Sequence, residues 1–338
     1  LSLTQWLKEL IDNARDAVAK NIYIDFSNAE GKSRITSPGS VISIFDDGRS
    51  LPFLQEQDDY DWSLILNYGS DQGNHIGTSS KAGINGVGYK NATATLGNKF
   101  LAAAKGPGRA PRFMFVDHTK FPKRENLSFD SLDANEINNI EDIPTYVLDK
   151  MSDFLEKTKN GSGFCTIIFD MGKDADPKSK EKNKFWSKKS ATIDTIMSAL
   201  VNGKEGKKQY ANECPLNMHY PYLEGFEQVQ IHVNGKALPM VSNLGACYFE
   251  KDKDGDVVWG GEEKDQSKFD DGYNLNTTGE MGSILACMQE PVDSARAAGR
   301  QYYTAPGGLI PIRGGTVVAF NCKGDPWRLD TNFSRRFT

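Results

Sequence analysis

The chain of 338 residues carries 40 basic against 45 acidic side chains, a net charge of −5, with 38% hydrophobic and 25% charged residues. At about 150 residues per domain this length holds roughly two domains, and the composition is that of a globular protein, not a disordered or fibrous one. A uniformly basic nucleic-acid coat is excluded, and no run approaches the ~18 consecutive apolar residues of a membrane span.

The five cysteines are scattered without a Cys-x-x-Cys pair. That argues against a structural zinc site and for reduced thiols in an intracellular compartment. Leu1, not a methionine, already stands in a helical pattern, so further chain upstream is expected.

Leu3, Leu7, Leu10, Ala14 and Val18 recur at helical spacing and predict a helix. Glu9, Asn13 and Asp16 share a neighbouring face of it. Ile22, Ile24 and Phe26 alternate as in a strand, and a second strand over 41–45 runs into Asp46-Asp47-Gly48. The Ser-, Gly- and Pro-rich connection 27–40 reads as a hairpin loop. Residues 68–88 are rich in glycine and poor in anchoring apolar residues, which reads as one long, functional loop. A helix is expected from Lys90 to Leu96, then strands over 99–104 and 164–169.

Ten lysines crowd residues 171–212 around a short amphipathic piece at 193–201. This is a solvated insertion or a patch for phosphates. Strand-like runs follow at 229–233, 283–288 and 308–320. Asp252, Asp254, Asp256 and Glu263 have the spacing of a calcium loop, but Val257 occupies the obligatory glycine position, so a β-hairpin tip at Asp254-Gly255 is expected instead.

Three motifs carry chemistry. In Glu9-Leu10-Ile11-Asp12-Asn13, a carboxylate and a carboxamide lie one turn apart. They can divide the work of metal-assisted hydrolysis, Glu9 taking a proton from water while Asn13 ligates Mg²⁺. In Asp46-Asp47-Gly48-Arg49-Ser50, a carboxylate at a strand end can accept from an exocyclic amino group while Gly48 admits a flat ring. In Gly83-Ile84-Asn85-Gly86-Val87-Gly88-Tyr89-Lys90, glycines opening a helix bare N–H groups to a phosphate and Lys90 adds a charge. No strand precedes these glycines directly and no P-loop motif occurs, so neither the dinucleotide fingerprint nor P-loop chemistry applies.

In order and spacing the three motifs resemble the GHKL ATPase superfamily (gyrase, the heat-shock chaperones, histidine kinases, MutL proteins) over roughly residues 3–170. The glycines ending at Lys90, followed by Leu96-Gly97, look most like the MORC group of chromatin ATPases. The resemblance implies an α/β fold: a two-layer α/β sandwich of the Bergerat type over 1–170, a lysine-rich linker at 171–212, and a transducer-like α/β domain over 213–338. It implies Glu9 as general base, Asn13 as Mg²⁺ ligand, and Asp46 and Gly48 at the adenine. Gly83, Gly86 and Gly88 would wrap the phosphates, with Lys90 at their terminal end. Thr166 is the nearest match to the adenine-side threonine, and Ser50 replaces a second glycine of the family pattern.

In the second domain, 228–238 resembles an early transducer strand, and either Lys323 or Arg313 is the cation expected at the γ-phosphate. The resemblance further implies slow Mg-dependent ATP hydrolysis, a lid over about 68–88, homodimerisation on ATP binding and DNA or chromatin as client. The lysine-rich stretch is a possible contact for that client, and the setting is intracellular, nuclear for a MORC-like protein. A heat-shock-type chaperone, a histidine kinase and a nucleotide-binding scaffold without turnover are the alternatives.

Overall fold

In a computed structural model of the chain, residues 3–66, 88–120, 131–171, 184–187, 191–202, 216–220, 228–238, 248–251, 257–259, 301–302, 312–313 and 316–317 are described. Contacts divide the chain into two units. One comprises Leu1–Ile76, Gly83–Met197 and Val229–Ala237; the other comprises Gly77–Ala82, Ser198–Gln228 and Leu238–Thr338.

In chain order the elements begin with α1 (Leu3–Asp16), β1 (Asn21–Asn28), β2 (Ser40–Asp46), β3 (Phe53–Leu54), β4 (Asp59–Tyr60), α2 (Ser63–Leu66) and α3 (Gly88–Leu96). Then come β5 (Lys99–Lys105), β6 (Arg112–Asp117), α4 (Ala134–Asn138), α5 (Thr145–Lys157), β7 (Gly163–Phe169), α6 (Lys184–Ser187) and α7 (Ile193–Asn202). The remainder are short strands: β8 (Gln230–Val233), β9 (Lys236–Ala237), β10 (Tyr248–Lys251), β11 (Val257–Trp259), β12 (Gln301–Tyr302), β13 (Ile312–Arg313) and β14 (Thr316–Val317). No helix of the described residues is long and apolar enough to cross a membrane.

The first unit is organised on a seven-stranded sheet in the order β6-β5-β7-β2-β1-β8-β9. All seven residues of β2 are buried, as befits a central strand covered on both faces. The β1–β2 hairpin expected from sequence is present, with Ile22 opposite Asp46 and Asn28 opposite Ser40. Because strand side chains alternate, the register sorts residues onto two faces. Ile24, Ile44, Thr166 and Ala102 line one face; Tyr23, Phe45, Cys165 and Ala103 line the other.

Each face carries its own helical layer. On the first, α3 lies across β5 and β7, with the Tyr89 ring edge-on to Phe100 at 5.8 Å and to Phe164 at 6.0 Å. Leu7, Leu10, Ile11 and Ala14, the apolar stripe of α1, are buried, and α1 packs along α3. On the second face α4 and α5 bring Ile137, Val147, Met151 and Phe154 against Phe45, Leu101 and Ile167. The α/β class with a large sheet is as expected from sequence; the second helical layer, built from the stretch between β6 and β7, is an addition to that expectation. A capping box starts α4, where Asp133 accepts from the Asn135 and Glu136 amides and Glu136 accepts from the Asp133 amide at 2.6 Å.

The strand at 228–238 departs from expectation. It does not open a second domain: β8 pairs parallel with β1, Ile22 beside Ile231 and Ile24 beside Val233, and lies in the first unit. Alternation shows only that one face is apolar, and the partner that buries that face is fixed in three dimensions. The Asn234 side chain then brackets Phe26, accepting its amide at 2.8 Å and donating to its carbonyl at 2.9 Å. In the second unit, β10 and β11 pair antiparallel, with Lys251 opposite Val257, while the tip expected at Asp254-Gly255 lies outside the described residues. Arg313 closes a tight β13–β14 pair opposite Thr316. The strand expected at 283–288 lies outside the described residues.

Gly163, the first residue of β7, sits where an added Cβ would overlap the Asp46 carbonyl oxygen and press on Thr158 at 2.9 Å; at Gly161 nothing lies within 4 Å. Gly163→Ala is expected to cost about 1–3 kcal/mol in chemical denaturation, the usual penalty of overpacking, while Gly161→Ala leaves the midpoint unchanged.

Candidate functional site

Helix α1 supplies one wall. Glu9, Asn13 and Ala17 follow at intervals of four along the same side of the chain, spanning about 12 Å at 1.5 Å per residue. Glu9 and Asn13 are exposed while their neighbours Lys8, Leu10 and Ala14 are buried. At the Glu9 end, α3 begins: a Cβ on Gly88 would overlap the Glu9 carboxylate. The bare Cα lets the Glu9 carboxylate lie directly on the opening turn of α3, the end that carries unbonded amides and the positive end of the helix dipole. Lys90, in the same turn, is buried at 7% exposure.

The other end of the α1 line closes on the turn after β2. A Cβ on Gly48 would lie 2.8 Å from the Ala17 carbonyl oxygen and 3.0 Å from Asp46 Oδ1. So the glycine expected to admit a flat ring is required first by the protein's own backbone. The Arg49 amide donates to that Ala17 carbonyl at 2.7 Å, and the Gly48 amide donates to Asp46 Oδ1 at 2.9 Å. Helix α1 itself ends with Val18 at φ +62°, its amide bonded to the Arg15 carbonyl and the Ala19 amide to that of Ala14. This is a Schellman-type stop with a β-branched residue in the left-handed region, where it is strained.

Burial sets the charges here. Asp46 is 5% exposed, and desolvation pushes its carboxyl up to about 7, against the Gly48 and Phe164 amides that favour the anion. Glu9 is raised for the same reason, with Lys8 opposing. Lys8 and Lys90 are lowered by burial, Lys8 against the pull of Asp12 and Glu9. A base raised toward neutrality is better matched to proton abstraction near pH 7 than a free glutamate.

Several sequence expectations resolve differently from one another. Glu9 at the middle of α1 is brought against Gly88, and Asp46 and Gly48 come to its C-terminal end, with Asn13 between them along the helix. Thr166 is buried on β7, its hydroxyl 2.9 Å from that of Tyr89, so it ties α3 to the sheet. Gly83, Gly86 and Lys323 lie outside the described residues, and Arg313 belongs to the second unit. Ser50, the departure from the family glycine, has its Oγ shut from solvent with no hydrogen-bond partner among the described residues.

Three residues were missed by sequence reasoning. Asp47 accepts the Lys20 and Asn21 amides at 2.8 Å each, pinning the start of β1 beneath the turn. Ser162 donates to the Gly48 carbonyl at 2.9 Å. Tyr89 holds Thr166. The doubled aspartate was the one visible signal among them.

Among the described residues no group of three or more His, Cys, Asp or Glu side chains could hold a metal ion.

Residues 1–149 match the family described as histidine kinase-, DNA gyrase B- and HSP90-like ATPase. That match spans less than half of the chain. No curated protein matches the chain in sequence. Among solved structures, the ATPase and transducer domains of DNA topoisomerase II from Balamuthia mandrillaris align over 75% of this chain and 54% of that one, at 16% identity and a TM-score of 0.39. The ATPase region of Saccharomyces cerevisiae topoisomerase II bound to ICRF-187 (dexrazoxane) aligns over 71% and 49%, at 12% identity and 0.37. The chain thus spans about half the length of these structures.

The raised Asp46 pKa makes a pH prediction. The folded protein holds the Asp46 proton up to about 7 while the unfolded chain releases it near 3.8, so this group's stabilisation is complete below about pH 4 and is lost as pH rises through 7. The unfolding free energy of the ligand-free protein across that window is expected to fall by a few kcal/mol more than that of Asp46→Asn, which lacks the titration.

Proposed function

We propose that the first unit binds ATP with Mg²⁺ and hydrolyses it slowly. The observation that carries this reading is the meeting of Gly88 and Glu9. It puts a helix N-terminus suited to phosphate beside a carboxylate with a raised pKa, on the helix line that leads through Asn13 to Asp46 and Gly48. The spacing supports a base at one end and a terminal phosphate at the other. The family match over 1–149 supports a nucleotide as the occupant.

In this reading the buried Asp46 carboxylate accepts from the exocyclic amino group of adenine, a contact that needs the ionised form. The first amides of α3 and the Lys90 ammonium take the terminal phosphates. Asn13 holds the cation together with phosphate oxygens, and Mg²⁺ supplies neutralisation of phosphate charge. Glu9 takes a proton from the attacking water.

The finer reading is a MORC-like factor. Residues 68–88 close as a lid on ATP, two copies associate, and release follows hydrolysis. The second unit acts as a transducer whose Lys323 or Arg313 reaches the γ-phosphate, and DNA or chromatin in a nucleus is the client. Its support is the sequence resemblance at Gly86, Gly88, Lys90 and Leu96-Gly97 and the lysine-rich stretch at 171–212.

Titration calorimetry and phosphate release on one sample test the central claim. Wild type is expected to bind and turn over ATP. Glu9→Gln should bind with similar affinity while turnover drops by about 10²-fold or more, the usual worth of a general base. Asp46→Asn should lose binding at least tenfold, since a donor would face the amino group where an acceptor is needed. Turnover by Glu9→Gln at the wild-type rate defeats the assignment of the base; binding without any release in wild type leaves a scaffold. A DNA mobility-shift assay with a non-hydrolysable ATP analogue, set against stimulation by unfolded polypeptide, separates the chromatin reading from a chaperone.

A further inference from the structure

Helix α3 is nine residues long, so whatever fixes its far end also fixes its first turn. Three contacts seat it. Tyr89 meets Thr166 on β7. Gly97, just past the end, lets the chain lie on β7, since a Cβ there would stand 2.5 Å from Ile168 Cγ2 and 2.7 Å from the Phe169 carbonyl oxygen. The third contact comes from α6, inside the lysine-rich stretch: the Trp186 indole N–H donates to the Leu96 carbonyl oxygen at 2.7 Å. Trp186 is 2% exposed and Leu96 fully buried. The last carbonyls of a helix have no partner within it, so this bond answers a group that would otherwise be buried and unsatisfied.

We infer that Trp186 is a positioning residue for the phosphate end of the ATP site: by holding the Leu96 carbonyl it sets where along its axis α3 lies, and so where Gly88 stands against Glu9. The inference rests on the ATPase reading above. Gly88 stands so close to Glu9 that a Cβ there would meet the carboxylate, whereas Asp46 and Gly48 are held mainly by β2, β7 and the end of α1, and α3 touches that end through the Tyr89 ring on Phe164. Loss of the Trp186 bond therefore acts first on the Gly88 end of the site. Further along the chain, residues 191–193 are tied to the β1–β2 connection, through the Ile193 amide to the Ser33 carbonyl at 2.8 Å and the Ile35 amide to the Ala191 carbonyl at 3.3 Å.

The test removes the donor and keeps the ring. Trp186→Phe does so by mutation, and benzothienylalanine at 186, with sulfur in place of the N–H, does so at nearly unchanged shape if the phenylalanine variant folds poorly. In both, adenosine, which reaches only the base end, is expected to bind as to wild type. ATP affinity and turnover should fall about tenfold or more, as a misplaced reacting group dictates. In the ligand-free variants the Gly88 and Lys90 amide resonances should shift while those of Asp47 and Gly48 stay in place. Phe185→Leu, which thins the ring contact 4.7 Å from Trp186 but spares the bond, should turn over ATP at the wild-type rate.

Equal loss of adenosine and ATP binding would mean that Trp186 only supports the fold, and unchanged turnover with unmoved Gly88 resonances would mean that the bond positions nothing. Either overturns the inference. Failure of wild type to bind ATP refutes the ATPase reading instead, and the amide resonances still decide whether Trp186 sets α3.

Discussion

The first turn of α3 begins against a glutamate of α1. The bare Cα of Gly88 stands where a Cβ would meet the Glu9 carboxylate, so a side chain at 88 would push that carboxylate off the opening amides of α3. The same device recurs at the C-terminal end of α1, where Gly48 lies under Ala17 and against Asp46. A helix clamped by two glycines thus carries Glu9 and Asn13 at set heights between a helix N-terminus and a strand end.

The sheet makes those clamps rigid. β2 is buried along its whole length, and its last residue is Asp46. β7 runs beside it, offering Gly163 to the Asp46 backbone and Thr166 to Tyr89 of α3. One pair of neighbouring strands therefore positions both ends of the site. The apolar layer under α5, with Phe154 and Phe45 ring to ring at 6.1 Å, holds that pair from behind. Asp47 stitches the turn to the start of β1, so the connection leaving α1 cannot drift from the turn it touches.

Burial of charge is the site's second theme. Asp46, Lys8 and Lys90 are all nearly removed from solvent, and each is displaced toward its neutral form. Such displacement weakens the empty protein, and it is relieved when a ligand brings a complementary group. In the proposed reading that group would be a hydrogen-bond donor for Asp46 and an anion for Lys90, and stability of the empty state would be traded for discrimination between ligands.

Local order was legible in the chain. The stripe of α1, the β1–β2 hairpin, β5, β7, α3 and the antiparallel β10–β11 pair follow from periods of 3.6 and 2 and from turn residues, because those signals arise between near neighbours. The motif residues Glu9, Asn13, Asp46, Gly48 and Gly88 were legible too, as chemistry-bearing types at telling spacing. What the tertiary structure alone decided is which surfaces meet. It placed the 230–233 strand beside β1, since alternation names an apolar face without naming its partner. It showed that Gly48 and Gly88 are bare because backbone and carboxylate press on them from distant parts of the chain. It engaged the Thr166 hydroxyl with Tyr89, and it drew Trp186 out of a lysine-rich stretch to hold the end of α3. Contacts between residues far apart in sequence leave no periodic trace in it, and they are what turn a set of plausible residues into a site.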